Sequence, residues 1–171
     1  MQATASWRPM SSNDIPAVML LADKIHPDLP ESASIFAERI KHFTDGCLVL
    51  AGEEICGYIM SHPIRKRCPP ALDSLLAEIP QDADQYYIHD VAILPTLQGR
   101  GLSADGIRRV LTIAQSYHTT CLVSVYGTFG FWSRFGFEAK MGDPEISSKI
   151  QGYGADALYL ERQNTAEQVL R

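Results

Sequence analysis

The sequence predicts one α/β domain, and three observations carry that prediction. Runs rich in β-branched and aromatic residues alternate along the chain with stretches whose apolar residues recur at helical spacing. One such run, YYIHDVAI at residues 86–93, passes through Pro95 and a glycine-rich turn straight into a helical stretch. The size and composition, 171 residues with 46% hydrophobic and 20% charged, suit one continuous core, whereas two domains would be cramped.

The elements follow in order. SWRPM reads as an edge strand because a proline interrupts good strand chemistry. A helix begins at Ser12-Asn13, carries Ile15, Val18, Met19 and Ala22 on one face, and ends before Pro27. The next helix has Ile35, Phe36, Ile40 and Phe43 as its apolar face, Ser32 or Ser34 as its cap, and Gly46 as its stop. CLVLAGEE and ICGYIMSH, joined through Gly52-Glu53-Glu54, read as a hairpin.

Residues 63–85 carry four prolines and the basic triplet Arg65-Lys66-Arg67, with a weak helical turn at LDSLLAEI. A connection of that length is either a binding loop or a plain surface insertion. After the strand at 86–93 and the turn, Ile107, Val110, Leu111 and Ala114 mark a core-facing helix. CLVSVY reads as a strand, FGFWSRFG as a short helix closed by Gly136, and DALYLER as the final strand. Residues 163–171 are expected to be a loosely held tail.

Composition excludes several functions. The four cysteines form no CxxC pair and the five histidines are scattered, so no metal site is expected. Cys47, Cys56 and Cys121 sit in or beside strand-like runs, as buried free thiols do. A net charge of -5 argues against nucleic acid as a partner. No run of about 18 apolar residues is present and MQATASWRPM lacks the blocks of a signal peptide, so the expectation is a cytoplasmic protein with no membrane partner.

The turn is the most informative stretch. A strand that enters a glycine-rich turn and then a helix points unpaired backbone N–H groups at one place, and glycine lets an anion approach them. GRGLSADG is not the GxGxxG of dinucleotide sites, because Ser103 and Ala104 stand where the last glycine belongs, and no GKS or GKT follows for a nucleoside triphosphate.

Gln98-Gly99-Arg100-Gly101-Leu102-Ser103 resembles the [Q/R]-x-x-G-x-[G/A] signature of the GNAT superfamily of acyl-CoA-dependent N-acyltransferases, with Ser103 departing by one small residue. FWSRFGFE resembles that family's F-Y-x-x-x-G-F segment, and the order of elements is similar along nearly the whole chain. HDVAILPTLQGRG after a long loop looks most like the arylalkylamine (serotonin) N-acetyltransferase group. The resemblance implies a mixed, mostly antiparallel, twisted sheet of six to seven strands flanked by about four helices, with a splay between the fourth and fifth strands. It implies acetyl-CoA as the cofactor, its pyrophosphate held by Gln98 to Ser103, its pantetheine arm lying along Val91, Ala92 and Ile93, and Ser124 to Tyr126 across the gap.

Transfer of an acetyl group to an amine requires a base, stabilisation of the developing oxyanion and a route for the leaving thiolate. By the resemblance His89 is the general base, and a main-chain N–H near Val91 or Ala92 meets the thioester oxygen. Alternation along the strand places Asp90 on the face opposite His89, where it attracts a cationic amine or makes a structural bond. Tyr87, on the His89 face, is a relay, a substrate contact or a half-buried aromatic with no such role, and Ser124 is a candidate substrate contact.

The family's usual proton donor is replaced by Trp132, which an indole cannot imitate, so Tyr126, a water, or unassisted departure of the thiolate remains. Trp132 then packs against the cofactor or the core. The expected function is acetylation of a small-molecule amine entering beside His89 under the 63–85 loop, by a monomer or homodimer. An acyl-CoA-binding sensor module and an enzyme acting on protein amines are the alternatives.

Overall fold

The computed structural model describes residues 4–164, the part of the chain treated below. Seven strands form one sheet in the order β1-β2-β3-β4-β5-β7-β6. They are β1 (Ser6–Pro9), β2 (Cys47–Ala51), β3 (Ile55–Ile64), β4 (Gln85–Ile93), β5 (Thr119–Ser124), β6 (Glu138–Ala139) and β7 (Leu158–Gln163). Every pairing is antiparallel except β4 with β5. The helices are α1 (Ile15–Ile25), α2 (Ala33–His42), α3 (Leu102–Ala114), α4 (Phe129–Ser133) and α5 (Pro144–Lys149). The sequence expectation holds for the sheet; the fifth helix, a single short turn-and-a-half capped by the Asp143 side chain, was not foreseen. Among the described residues no helix is long and apolar enough to cross a membrane.

The strands sort their side chains onto two faces by simple alternation. On one, Leu48, Leu50, Ile59, Tyr86 and Ile88 pack against Ile107, Val110 and Leu111 of α3. On the other, Val49, Tyr58 and Met60 meet Val18 and Leu21 of α1 and Phe36 of α2. Cys47, Cys56 and Cys121 are buried as expected, and none is bonded to another cysteine.

Contacts at the rim fix the elements that carry the site. Trp7 Nε1 donates to the carbonyl of Leu102 at 2.8 Å and Arg109 donates to the Trp7 carbonyl at 3.2 Å, which ties edge strand β1 to the start of α3. Gly106 permits this approach, since a Cβ there would stand 2.6 Å from the indole. Pro63 sits inside β3, where a proline is usually excluded. It is accommodated because β2 stops opposite Met60, so beyond that point β3 has a partner only in β4.

The long connection is shorter than the sequence indicated, residues 65–84, because Pro63, Ile64 and Gln85 belong to strands. LDSLLAEI forms bends and turns and no helix. The loop lies against α2: Arg39, 1% exposed, donates to the Ser74 carbonyl at 3.1 Å, and Glu38 accepts from the backbone N–H groups of Leu76 and Ala77. Ser32 stands at the N-cap of α2, but its hydroxyl donates to Asp73 of the loop at 2.9 Å and does not cap the helix. At the C-terminal end Gln163 is still strand, and Asn164 is held by Ala114, Tyr117, His118 and Thr120; the rest of the expected tail lies outside the described residues.

Candidate active site

Strands β4 and β5 are paired only from Gln85 to Ile88 against Thr119 to Leu122. From His89 onward β4 has no β5 partner, and on that edge the Ile93 carbonyl accepts from Gln98 Nε2 at 3.5 Å. The sheet opens there into a cavity of about 420 Å³. At its far end β4 runs through a 3-10 turn (Pro95–Leu97) into residues 98–101 and α3.

Gly99 and Gly101 have φ of 81° and 77°, the left-handed region that glycine adopts at no steric cost, and a Cβ at either would meet nothing within 4 Å. The turn therefore faces open space. Gly101 is the N-cap of α3 and no side chain caps the helix, so the first N–H groups of α3 remain available to an anion. Gln98, Gly99 and Ser103 line the cavity under the splay, and Gly99, Gly101 and Ser103 line an adjoining one of about 840 Å³. Arg100 is exposed. Leu102 lines a separate hollow beside Trp7.

The next feature overturns a sequence expectation. Met60 pairs with Asp90 and Ser61 with Ile88, so His89 is the extra residue of a β-bulge. A bulge interrupts alternation. His89 and Asp90 consequently share the α1/α2 face, with Asp90 beside Tyr58 and His89 beside His62 and Tyr87, and both line the cavity. The expected opposition of the two side chains does not occur.

Each of the two is paired with a group from the connection between α1 and α2. His89 Nε2 lies 2.6 Å from Glu31 Oε1, with the side chains 2% and 7% exposed. The other oxygen of Glu31 accepts the backbone N–H of Asp73 at 3.1 Å, so the long loop helps to hold this carboxylate. Asp90 Oδ1 lies 3.0 Å from His26 Nε2, and the Tyr58 hydroxyl donates to Asp90 Oδ2. Burial works against the charge on Asp90, but His26, then Tyr58 and His89, outweigh it and hold the carboxyl below its usual range. Burial likewise opposes the His26 imidazolium, and Asp90 and Glu31 more than compensate, raising its pKa. Burial beside the Asp90 charge keeps the Tyr58 phenol protonated.

Across the gap Val123, Val125 and Tyr126 line the cavity. Tyr126 adopts a left-handed φ of 55° and is 45% exposed, its ring stacked on His26 with centroids 5.8 Å apart and planes 5° from parallel. Strained backbone of this kind is concentrated at functional positions. Burial raises the Tyr126 pKa, with Asp28 adding to the shift. Trp132 is 8% exposed, lines the cavity and packs edge-on against Phe131 and Phe137, serving wall and core at once.

The remaining sequence-derived residues lie behind the wall. Ser124 is buried and its hydroxyl is 2.9 Å from that of Thr128. The Ala92 side chain is in the core beneath α1. Tyr87 is fully buried among Ile64, Cys121 and Tyr159, behind His89. Glu31, His26, Leu29, Leu72 and Tyr153 also line the cavity. They were not singled out from the sequence, because isolated polar or apolar residues in loops carry no periodic or motif signal. Among the described residues no cluster of His, Cys, Asp and Glu is arranged to hold a metal.

Comparison with known proteins identifies this arrangement. A comparison with curated protein sequences gives no match. Among solved structures, the loading GNATL domain of CurA from Lyngbya majuscula superposes with a TM-score of 0.73 at 14% identity, covering 94% of this chain and 98% of that one. Ard1 from Thermoplasma volcanium gives 0.69 at 14% identity, covering 94% and 97%. Arabidopsis thaliana Naa50, in complex with the bisubstrate analogue CoA-Ac-MVNAL, gives 0.68 at 14% identity, covering 94% and 99%. These likenesses concern the fold. The model of the acetyltransferase (GNAT) family matches residues 15–137, more than half of the sequence, and the chain therefore belongs to the GNAT family of acetyltransferases.

Proposed function

We propose that the chain acetylates the primary amine of a small molecule of the aryl- or alkylamine kind, using acetyl-CoA. The residues fit that carrier. The open glycine turn and the uncapped start of α3 offer N–H groups to a diphosphate, and the edge of β4 beyond Ile88, unpaired with β5, offers hydrogen bonds to an extended arm. When bound, acetyl-CoA supplies the acetyl group in activated form, as a thioester. The observation that carries the substrate reading is the cavity itself: about 420 Å³, walled by the Glu31–His89 and Asp90–His26 pairs and by Tyr126, with Leu72 of the long loop at its margin. Such a space suits a small cation better than a folded protein surface.

The chain's own groups can manage the protons. An amine arrives protonated and is attracted by carboxylates at Glu31 and Asp90. The 2.6 Å contact is bridged by the His89 Nε2 proton, which Glu31 Oε1 accepts, so the amine's proton passes to Nδ1, the ring nitrogen that has no partner among the described residues. Tyr126, which stays protonated, stands across the gap and can donate from its hydroxyl, the role that Trp132 cannot fill. Main-chain N–H groups at the splayed end of β4 face the position of a developing oxyanion.

The test is turnover, followed as release of coenzyme A thiol, across aromatic amines, polyamines, amino acids and short peptides. Small amines are expected to be the best acceptors, and a clear preference for peptide N-termini would refute the substrate assignment. His89→Ala and Glu31→Gln should each lower kcat by roughly 100-fold or more, and the double variant should be little worse than either. Additive losses, or an unchanged rate in either variant, would dissolve the pair as a catalytic unit.

A further inference from the structure

The adjoining cavity, about 840 Å³, contains an unresolved charge problem. Arg162 on β7 lines it and is only 4% exposed. Among the described residues its guanidinium has no hydrogen-bond acceptor and no carboxylate partner, and Nε is buried outright. Taking a cation out of water is costly, and the cost is ordinarily offset by a counter-charge. Here burial alone acts on Arg162 and lowers its pKa. Arg108 of α3 and Arg134 at the end of α4 line the same cavity, and no Asp or Glu does, in a chain whose net charge is -5. Arg134 lies over the Phe131 ring at 5.6 Å, an arrangement that presents a guanidinium beside an aromatic face.

The two cavities meet at Gly99, Ser103, Phe131 and Arg134. A carrier whose diphosphate sits on the turn and whose arm enters the splay must send its nucleotide end the other way, into the arginine-lined space. We propose that Arg162, with Arg108 and Arg134, forms a subsite for the phosphomonoester on the ribose of coenzyme A. This rests on the acetyl-CoA reading above. A phosphomonoester is a dianion with several acceptor oxygens, the group that a guanidinium fork recognises best. The trio thus makes the protein selective for 3′-phosphorylated carrier over dephospho-coenzyme A, which lacks that group alone.

Calorimetric titration of the full chain with both molecules tests the proposal without any acyl transfer. Coenzyme A is expected to bind at least about ten-fold more tightly, the worth of one charge-assisted hydrogen bond. Arg162→Met should weaken coenzyme A toward the affinity of the dephospho form while leaving the latter unchanged, with a melting temperature equal to or above that of the parent because an unpaired buried charge is removed. Arg134→Gln and Arg108→Gln, on the surface, give the same selective loss to a smaller extent and cover the case in which the Arg162 variant fails to fold. Equal affinities for the two molecules would overturn the subsite and leave the diphosphate assignment standing. An equal loss of both in the Arg162 variant would also overturn it. Binding of neither by the parent chain would overturn the carrier reading and the subsite with it.

Discussion

His62 should make the protein sensitive to mild acid, and its environment gives the size of the effect. The ring is fully buried between Tyr87 and His89, with centroids 5.5 and 6.4 Å away. Nδ1 lies 3.0 Å from the Pro63 carbonyl. Burial is the main cause that pushes its pKa down from 6.5 to about 3; the Pro63 carbonyl opposes this, and His89 and Arg39 reinforce it. The unfolded chain therefore takes up a proton near pH 6.5 that the native state refuses until near 3. Between these limits the unfolded state binds more protons, so stability falls as pH falls, by about 1.4 kcal/mol per pH unit. Relative to mildly alkaline solution, the loss at a pH two units below 6.5 is about 2.7 kcal/mol. His26 acts in the opposite sense, since its raised pKa adds stability that is present at low pH and lost as pH rises through that value.

The measurement is urea unfolding of the parent and His62→Gln at several pH values. Glutamine retains an N–H for the Pro63 carbonyl and removes the titration, and contributions common to both proteins cancel in the difference. The parent should lose about 2.7 kcal/mol more than the variant over the stated interval. Parallel pH profiles would show that His62 is not held neutral by its burial.

Two further outcomes follow from the packing. Gly106→Ala places a methyl 2.6 Å from the Trp7 ring and 2.8 Å from Ile59, and the overpacking, about 1–3 kcal/mol, should outweigh a helix-propensity gain of about 1 kcal/mol. Its melting temperature should fall while that of Gly130→Ala, where nothing lies within 4 Å, holds or rises; equal gains would mean that Trp7 is not seated on α3. Thiol chemistry gives the second: Cys68 is exposed, and burial pushes Cys47 up to about 12 and also raises Cys121. Iodoacetamide at neutral pH should modify Cys68 alone in the native protein without loss of turnover. Rapid native modification of Cys121, beside the splay, would reopen a thiol-based mechanism.

Local features were legible before any coordinates. The helical stripe of α3, the hairpin of β2 and β3, and the turn of Gln98 to Ser103 each depend on neighbours in the chain, and periodicity or glycine content reports them directly. The boundaries that moved were decided by partners. Pro63 is tolerated in β3 because β2 ends early, and Ser32 gives its hydroxyl to Asp73 because the long loop arrives beside it. The resemblance to arylalkylamine acetyltransferases identified the superfamily but not the acceptor group, since the structural relatives include Naa50 with its peptide-like analogue.

The sequence alone determined that a glycine-rich turn with unpaired backbone N–H groups stands between a strand and a helix, because backbone N–H groups and glycine dihedrals are properties of a few consecutive residues. Only the tertiary structure decided which side chains share the cavity. The bulge that turns His89 and Asp90 to one face arises from the register of β4 on β3. The arrival of Glu31 and His26 beside them depends on how α1 and α2 pack on the sheet. Both are relations between segments distant in sequence, fixed by the burial of apolar faces, to which no local pattern gives access.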